Sequence, residues 1–126
     1  MGYTLGSVSA NPADVQTIRL NLHTSTQGDA AVVKCTGALT AGVTGVLHTE
    51  VKRLIAVHRR IVLDLTDLTR MDSMGLGTIA ALYASARASG AKFELINLSP
   101  RVRELFRITR LASLFEVYGD HPVKLP

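Results

Sequence analysis

The side chains with chemistry to offer gather at one point, Asp72-Ser73-Met74-Gly75, just ahead of a run with helical spacing. A helix starting there leaves unpaired N–H groups and the positive end of its dipole beside Asp72 and Ser73. An anion or a capping oxygen is favoured in that position by roughly 0.3–1 kcal/mol. Two readings follow. One of the pair is simply the cap, because a short side-chain oxygen reaches the N–H groups of the first turn. Alternatively Ser73 is a phosphoacceptor, since a phosphate adds about −1.5 to −2 charges and three acceptor oxygens where a helix start tolerates them. The serine sits as in a nucleophile elbow, but the preceding glycine and an evident partner histidine are missing, which argues against a hydrolase. Binding of a small anion or nucleotide at the helix start ranks below both readings.

Other constellations are absent. His23, His48, His58 and His121 have no spacing that puts two on one helical face, so no metal site is expected. The zincin pattern, the P-loop and the dinucleotide fingerprint are missing, and Gly75-Leu76-Gly77 is too short to cradle a phosphate, so no cofactor is expected either. The single cysteine, Cys35, has no partner for an internal disulfide, and its strand-like setting assigns it to core packing. Arg103, Arg107 and Arg110 share one helical face opposite Val102, Phe106 and Thr109, a basic stripe that is either solvated or docks an acidic partner.

The elements that must position Asp72 and Ser73 read as follows. Ile18, Leu20 and Leu22 alternate with polar residues from Thr17 to His23, the period of a half-buried strand. The polar cluster Thr24 to Asp29 makes a turn, and Ala30 to Thr36 is a second strand forming an antiparallel hairpin with the first, closed by Gly37. Thr40 caps a helix with apolar positions Val43, Val46, Leu47, Val51 and Leu54. Arg60 to Leu65 is apolar on both faces, as a central parallel strand would be, and Thr66 to Met71 reads as a turn. A helix from Met74 to Ser89 carries the stripe Leu76, Ile79, Ala80, Tyr83 and either Ala86 or Arg87, stopped by Gly90. A fourth strand around Phe93 and Leu95 follows. Ser99 then caps a last helix with Pro100 at its first position, burying Val102, Leu105, Phe106 and Thr109, after which Leu114 and Phe115 pack in the tail. The expected fold is α/β, a four- to five-stranded mixed sheet with helices packed largely on one face. Residues 1–16 form a flexible or edge segment, 17–118 the domain and 119–126 a tail.

Composition bounds the function. At 126 residues, 47% hydrophobic and 19% charged, the chain is one ordinary globular domain. Its most apolar stretch, Leu76 to Ala86, is interrupted by Gly77, Thr78 and Ser85 and falls short of the ~20 residues a membrane span needs, so no membrane insertion is expected. Met1 to Asn11 lacks the basic start of a secretion signal, and a cytoplasmic protein is expected. With no tryptophan and 5% aromatics, the formal charge of +4 does not add up to direct DNA binding.

The run Asp64-Leu65-Thr66-Asp67-Leu68-Thr69-Arg70-Met71-Asp72-Ser73-Met74-Gly75-Leu76-Gly77 strongly resembles the signature of bacterial anti-sigma factor antagonists of the STAS family. Gly37-Ala38-Leu39-Thr40 resembles the family's turn before the first helix. Leu98 to Phe106, Leu111 and Leu114-Phe115 resemble its C-terminal third. The resemblance implies a non-enzymatic partner switch. In the family, the serine after the aspartate is phosphorylated by a partner that is both serine kinase and anti-sigma factor; the matching residue is Ser73. Unphosphorylated protein binds that partner and frees sigma, and a PP2C-type phosphatase resets the phosphorylated form. The docking residues so implied are Leu39, Thr40, Arg70, Asp72, Ser73, Met74, Gly75 and Leu76. Four positions, in three departures, differ from the family. Ala38 and Thr40 stand where many antagonists are acidic, Met74 where serine or threonine is frequent, and Arg70 where an apolar residue is usual. These departures motivate an alternative, a non-switching STAS module in a scaffold or transporter-associated subunit.

Overall fold

A computed structural model describes residues 19–109. The expectations for Thr17, Ile18, the segment 1–16, Arg110, Leu111, Leu114, Phe115, the tail 119–126 and His121 lie outside those residues. Within them the order is β1 (Leu20–Gln27), β2 (Ala30–Leu39), α1 (Thr44–Ile55), β3 (Arg60–Met71), α2 (Ser73–Ala88), β4 (Lys92–Ile96) and α3 (Pro100–Thr109). The strands form one mixed sheet in the order β1-β2-β3-β4. β1 and β2 make the antiparallel hairpin, whereas β3 runs parallel to both β2 and β4 through the helical crossovers α1 and α2.

Alternation along the strands decides which face is covered. Ala31, Val33 and Cys35 of β2, Ile61, Leu63 and Leu65 of β3, and Phe93 and Leu95 of β4 are buried against Leu47, Val51 and Leu54 of α1 and Leu76, Ile79, Leu82, Tyr83 and Ala86 of α2. Val102 and Phe106 of α3 join the same core. The residues between them point away from it: Lys34 of β2 meets Asp67 at 3.2 Å, and Arg60 meets Glu94 at 2.8 Å. Cys35 packs in the core as expected, and burial, with the Asp64 charge second, pushes its thiol up to about 12.

Several boundaries differ from the sequence reading. β1 continues through Thr24 to Gln27, and the turn shrinks to Gly28-Asp29. Gly37 does not close β2. It carries the strand through at φ +106, where a Cβ would lie 2.2 Å from the carbonyl oxygen of Arg19, and pairing goes on to Leu39. Thr66 to Met71 is not a turn but the second half of β3. Its polar residues alternate around buried Leu68, and the parallel ladder with β2 persists by means of two irregularities, one between Lys34 and Thr36 and one between Gly37 and Ala38. Thr40 does not cap α1. Its carbonyl accepts the N–H of Val43 in a turn, Gly42 sits at φ +96, and the helix begins four residues later without a side-chain cap. Val46 is exposed rather than buried, as is Thr109, whose hydroxyl donates to the carbonyls of Leu105 and Phe106. Ser99 does cap α3, its Oγ accepting the N–H of Val102 at 3.2 Å.

Candidate functional site

β2 and β3 end side by side, Leu39 being the register partner of Met71. Each strand then delivers its chain toward a helix, and this common end holds the candidate site. Asp72 has extended backbone (φ −111, ψ −175) and is the cap of α2. Its Oδ1 accepts the N–H of Gly75 at 2.9 Å, while its Oδ2 crosses to the neighbouring loop and accepts the N–H of Ala41, also at 2.9 Å. The Asp72 N–H in turn donates to the carbonyl of Leu39 at 3.4 Å. The N–H of Ala41, and after it that of Gly75, hold the Asp72 carboxyl below the usual carboxylate range.

The choice left open between Asp72 and Ser73 is thereby decided. Asp72 is the cap, and Ser73, the first residue of the helix, is exposed and its hydroxyl forms no hydrogen bond among the described residues. Met74 beside it is 57% exposed. Beneath these two lie Gly75 and Leu76, both buried. Gly75 is required by space rather than by dihedral angle, because a Cβ would lie 2.1 Å from the Leu39 carbonyl oxygen and 2.9 Å from its Cγ. Gly77 is not so constrained; a Cβ there meets nothing within 4 Å. Leu39 itself is fully buried.

The implied docking residues therefore separate by depth. Arg70, Ser73 and Met74 are exposed, Thr40 and Asp72 are half-buried, and Leu39, Gly75 and Leu76 form the floor. A groove of about 480 Å³ brings Thr40, Arg70 and Asp72 together with Ala38, Ala41 and Arg101. Two contributors to this site were not foreseen. Ala41 acts through its backbone N–H, which carries no residue-type signal. Arg101 belongs to the first turn of α3, and only the packing of that helix brings it here. Ala38, one of the departures, is buried at the base of that groove and stands outside the main hydrophobic cluster. The basic stripe on α3 is less than its spacing suggested. Arg107 is paired with Glu104, and half-buried Arg103 donates to the carbonyl of Leu98.

The rest of the surface offers less chemistry. A groove of about 590 Å³ between β1 and α1 contains one carboxylate, Glu50, which is already taken by Arg53 and the Thr24 hydroxyl. No group of three or more histidine, cysteine or acidic side chains able to hold a metal occurs among the described residues. Among the same residues no helix is long and apolar enough to cross a membrane.

A family model for the STAS domain matches residues 21–122, and the chain belongs to that family. It is 29% identical over 93 residues to a STAS-domain containing protein of Pseudomonas aeruginosa, covering 74% of this chain and 92% of that one. Over a shorter stretch of 55 residues it is 38% identical to the anti-sigma-B factor antagonist of Listeria monocytogenes, covering 44% of this chain and 48% of the relative. Among solved structures, an anti-sigma factor antagonist from Mycobacterium paratuberculosis superposes with a TM-score of 0.69 at 20% identity, over 76% of this chain and 82% of that one. The Bacillus cell fate determinant SpoIIAA in its phosphorylated form gives 0.61 at 21% identity, over 75% and 86%. A sulfate transporter family protein from Wolinella succinogenes gives 0.65 at 15% identity, over 79% of each. At these identities the likeness of the solved structures is one of fold. The same fold thus occurs in an anti-sigma factor antagonist and in a sulfate transporter family protein.

Proposed function

We propose that this chain is an anti-sigma factor antagonist, a cytoplasmic, non-enzymatic switch protein whose Ser73 is the phosphorylated residue. The observation that carries the reading is the division of labour at the start of α2. Asp72 satisfies the cap with one oxygen and the adjoining loop with the other, which leaves the Ser73 hydroxyl exposed and uncommitted. A serine that capped the helix would have to rebuild that hydrogen bond through the phosphate on modification. Ser73 can change without loosening the turn that presents it.

The partner is an anti-sigma factor that is also a serine kinase. Transfer joins the γ-phosphoryl group of ATP to Ser73 Oγ, releases ADP and frees the hydroxyl proton. The added charge lies near the positive end of the helix dipole, so the fold tolerates it. The complex does not. A partner fitted to a neutral hydroxyl would have to desolvate a dianion, at a cost of several kcal/mol when the charge is left unpaired, and about 1.4 kcal/mol is already tenfold in affinity. A PP2C-type phosphatase returns the chain to its binding form.

Mass-spectrometric mapping after incubation with the cognate kinase and ATP tests this. Phosphate on Ser73 is expected, and phosphate confined to other residues refutes the assignment. The second reading, a non-switching scaffold or transporter-associated module, is favoured by the likeness in fold to the Wolinella protein and by Ala38 and Thr40 standing where many antagonists are acidic. Pull-down with Ser73→Asp separates the two: the switch predicts lost partner binding, the scaffold unchanged binding.

A further inference from the structure

The groove beside Ser73 is cationic and continues into an apolar crevice. Its charged lining is Arg70, Arg101 and Asp72, but both oxygens of Asp72 are committed to backbone N–H groups, and neither arginine has a carboxylate within ion-pair distance among the described residues. Met71 and Arg101 line this groove and also a second hollow, about 150 Å³, completed by Val102, Glu104, Leu105 and Ile108. Glu104 on its rim is paired with Arg107 and does not neutralise Arg101. Ile108 of the crevice is 60% exposed, and Met74, two residues beyond Asp72 in the chain, is 57% exposed. Four exposed large hydrophobic side chains occur among the described residues, and two of them stand here.

We propose that the groove and the crevice form one docking surface for an acidic amphipathic segment of the partner, with an aliphatic side chain seated among Met71, Leu105 and Ile108 and carboxylates on Arg70 and Arg101. This rests on the reading of Ser73 as the switch and gives the chemistry of what binds beside it. Charge complementarity selects the occupant: two guanidiniums, neither paired with a carboxylate, outweigh the single Asp72 carboxylate in the lining, so the groove repels a basic segment and leaves a neutral one with no orienting contact. Methionine at Met71 and Met74 suits such a contact, being unbranched and able to adapt its shape.

The test uses the full chain, isotope-labelled, and two helix-forming peptides with leucine at i and i+4, one flanked by glutamates and the other by lysines at the same places. The glutamate peptide is expected to shift the amide signals of Arg70, Met71, Met74, Arg101, Leu105 and Ile108, and the lysine peptide to leave them unmoved. Arg70→Glu with Arg101→Glu should weaken the glutamate peptide by about tenfold and recruit the lysine peptide, as expected for partly desolvated charge pairs. Equal response to both peptides, shifts on another face, or contacts from residues 110–126 to Leu105 and Ile108 in the free chain would overturn the proposal. The two claims fail separately. Charge-selective peptide binding without phosphorylation of Ser73 keeps this surface and removes the switch, whereas a phosphorylated Ser73 with no charge selection does the reverse.

Discussion

α1 and α2 both follow strands that end as register partners, yet they begin in opposite ways. α2 starts at once, with a side-chain cap and with Gly75 pressed on the Leu39 carbonyl. α1 starts after the loop from Thr40 to Val43, without a side-chain cap and with Gly42 in a left-handed conformation. The loop before α1 is instead held by its neighbour, through the bond from the Ala41 N–H to Asp72. One helix start is thus built and the other is borrowed, and the proposed switch residue, Ser73, sits on the built one. A group that changes charge during function is best placed where the surrounding turn is already satisfied by something else.

The difference can be broken most severely at Gly75. Gly75→Ala forces a Cβ onto backbone rather than onto a flexible side chain, and a loss of about 3 kcal/mol in chemical denaturation is expected. Asp72→Ala comes next, because it frees two backbone N–H groups, one in the loop before α1 and one in the first turn of α2. Amide exchange should quicken at both Ala41 and Gly75, whereas loss of an ordinary cap would be felt at Gly75 alone. Gly42→Ala should cost less than Gly75→Ala, about 1 kcal/mol, since there is open space at that position and only the positive φ is strained. Ser73→Ala and Met74→Ala, on the exposed rim, should change stability by no more than about 0.5 kcal/mol.

Acid sharpens the same contrast. The Asp72 carboxyl is held below the usual range in the folded protein, so its contribution is fully present above the ordinary aspartate value of about 3.9 and is lost as pH falls through the lower folded value. The amide signals of Ala41 and Gly75 should therefore move together below about pH 4. In Asp72→Asn that joint movement should vanish, and its persistence would mean another group holds the two loops.

The layers of the fold were legible because alternation and helical spacing report burial directly. Leu47, Val51 and Leu54, and again Leu76, Ile79, Tyr83 and Ala86, lie inside as their spacing predicted. The second half of β3 was not legible. Thr66, Asp67, Thr69 and Arg70 have the composition of a turn, and only pairing with β2, through two irregular steps, makes them a strand. Propensity yielded there to a ladder formed with residues some thirty positions away. Ser73 and Asp72 could be located from a motif, but which of them capped the helix could not, since both residue types suit that position. Arg101 and the Ala41 N–H left no local trace at all.

The two acceptor oxygens of Asp72 are matched to donors from separate stretches of chain, and Ala41 lies 31 positions from Asp72. The presented hydroxyl is consequently a product of completed folding, because the crossover through α1 must close before the parallel ladder brings the two loops together. A modifying enzyme that reads this arrangement reads conformation as well as local sequence, and a free peptide spanning residues 64–77 should be a poor substitute for the whole chain. Nascent or damaged copies would then be ignored by the regulatory circuit without any separate quality check.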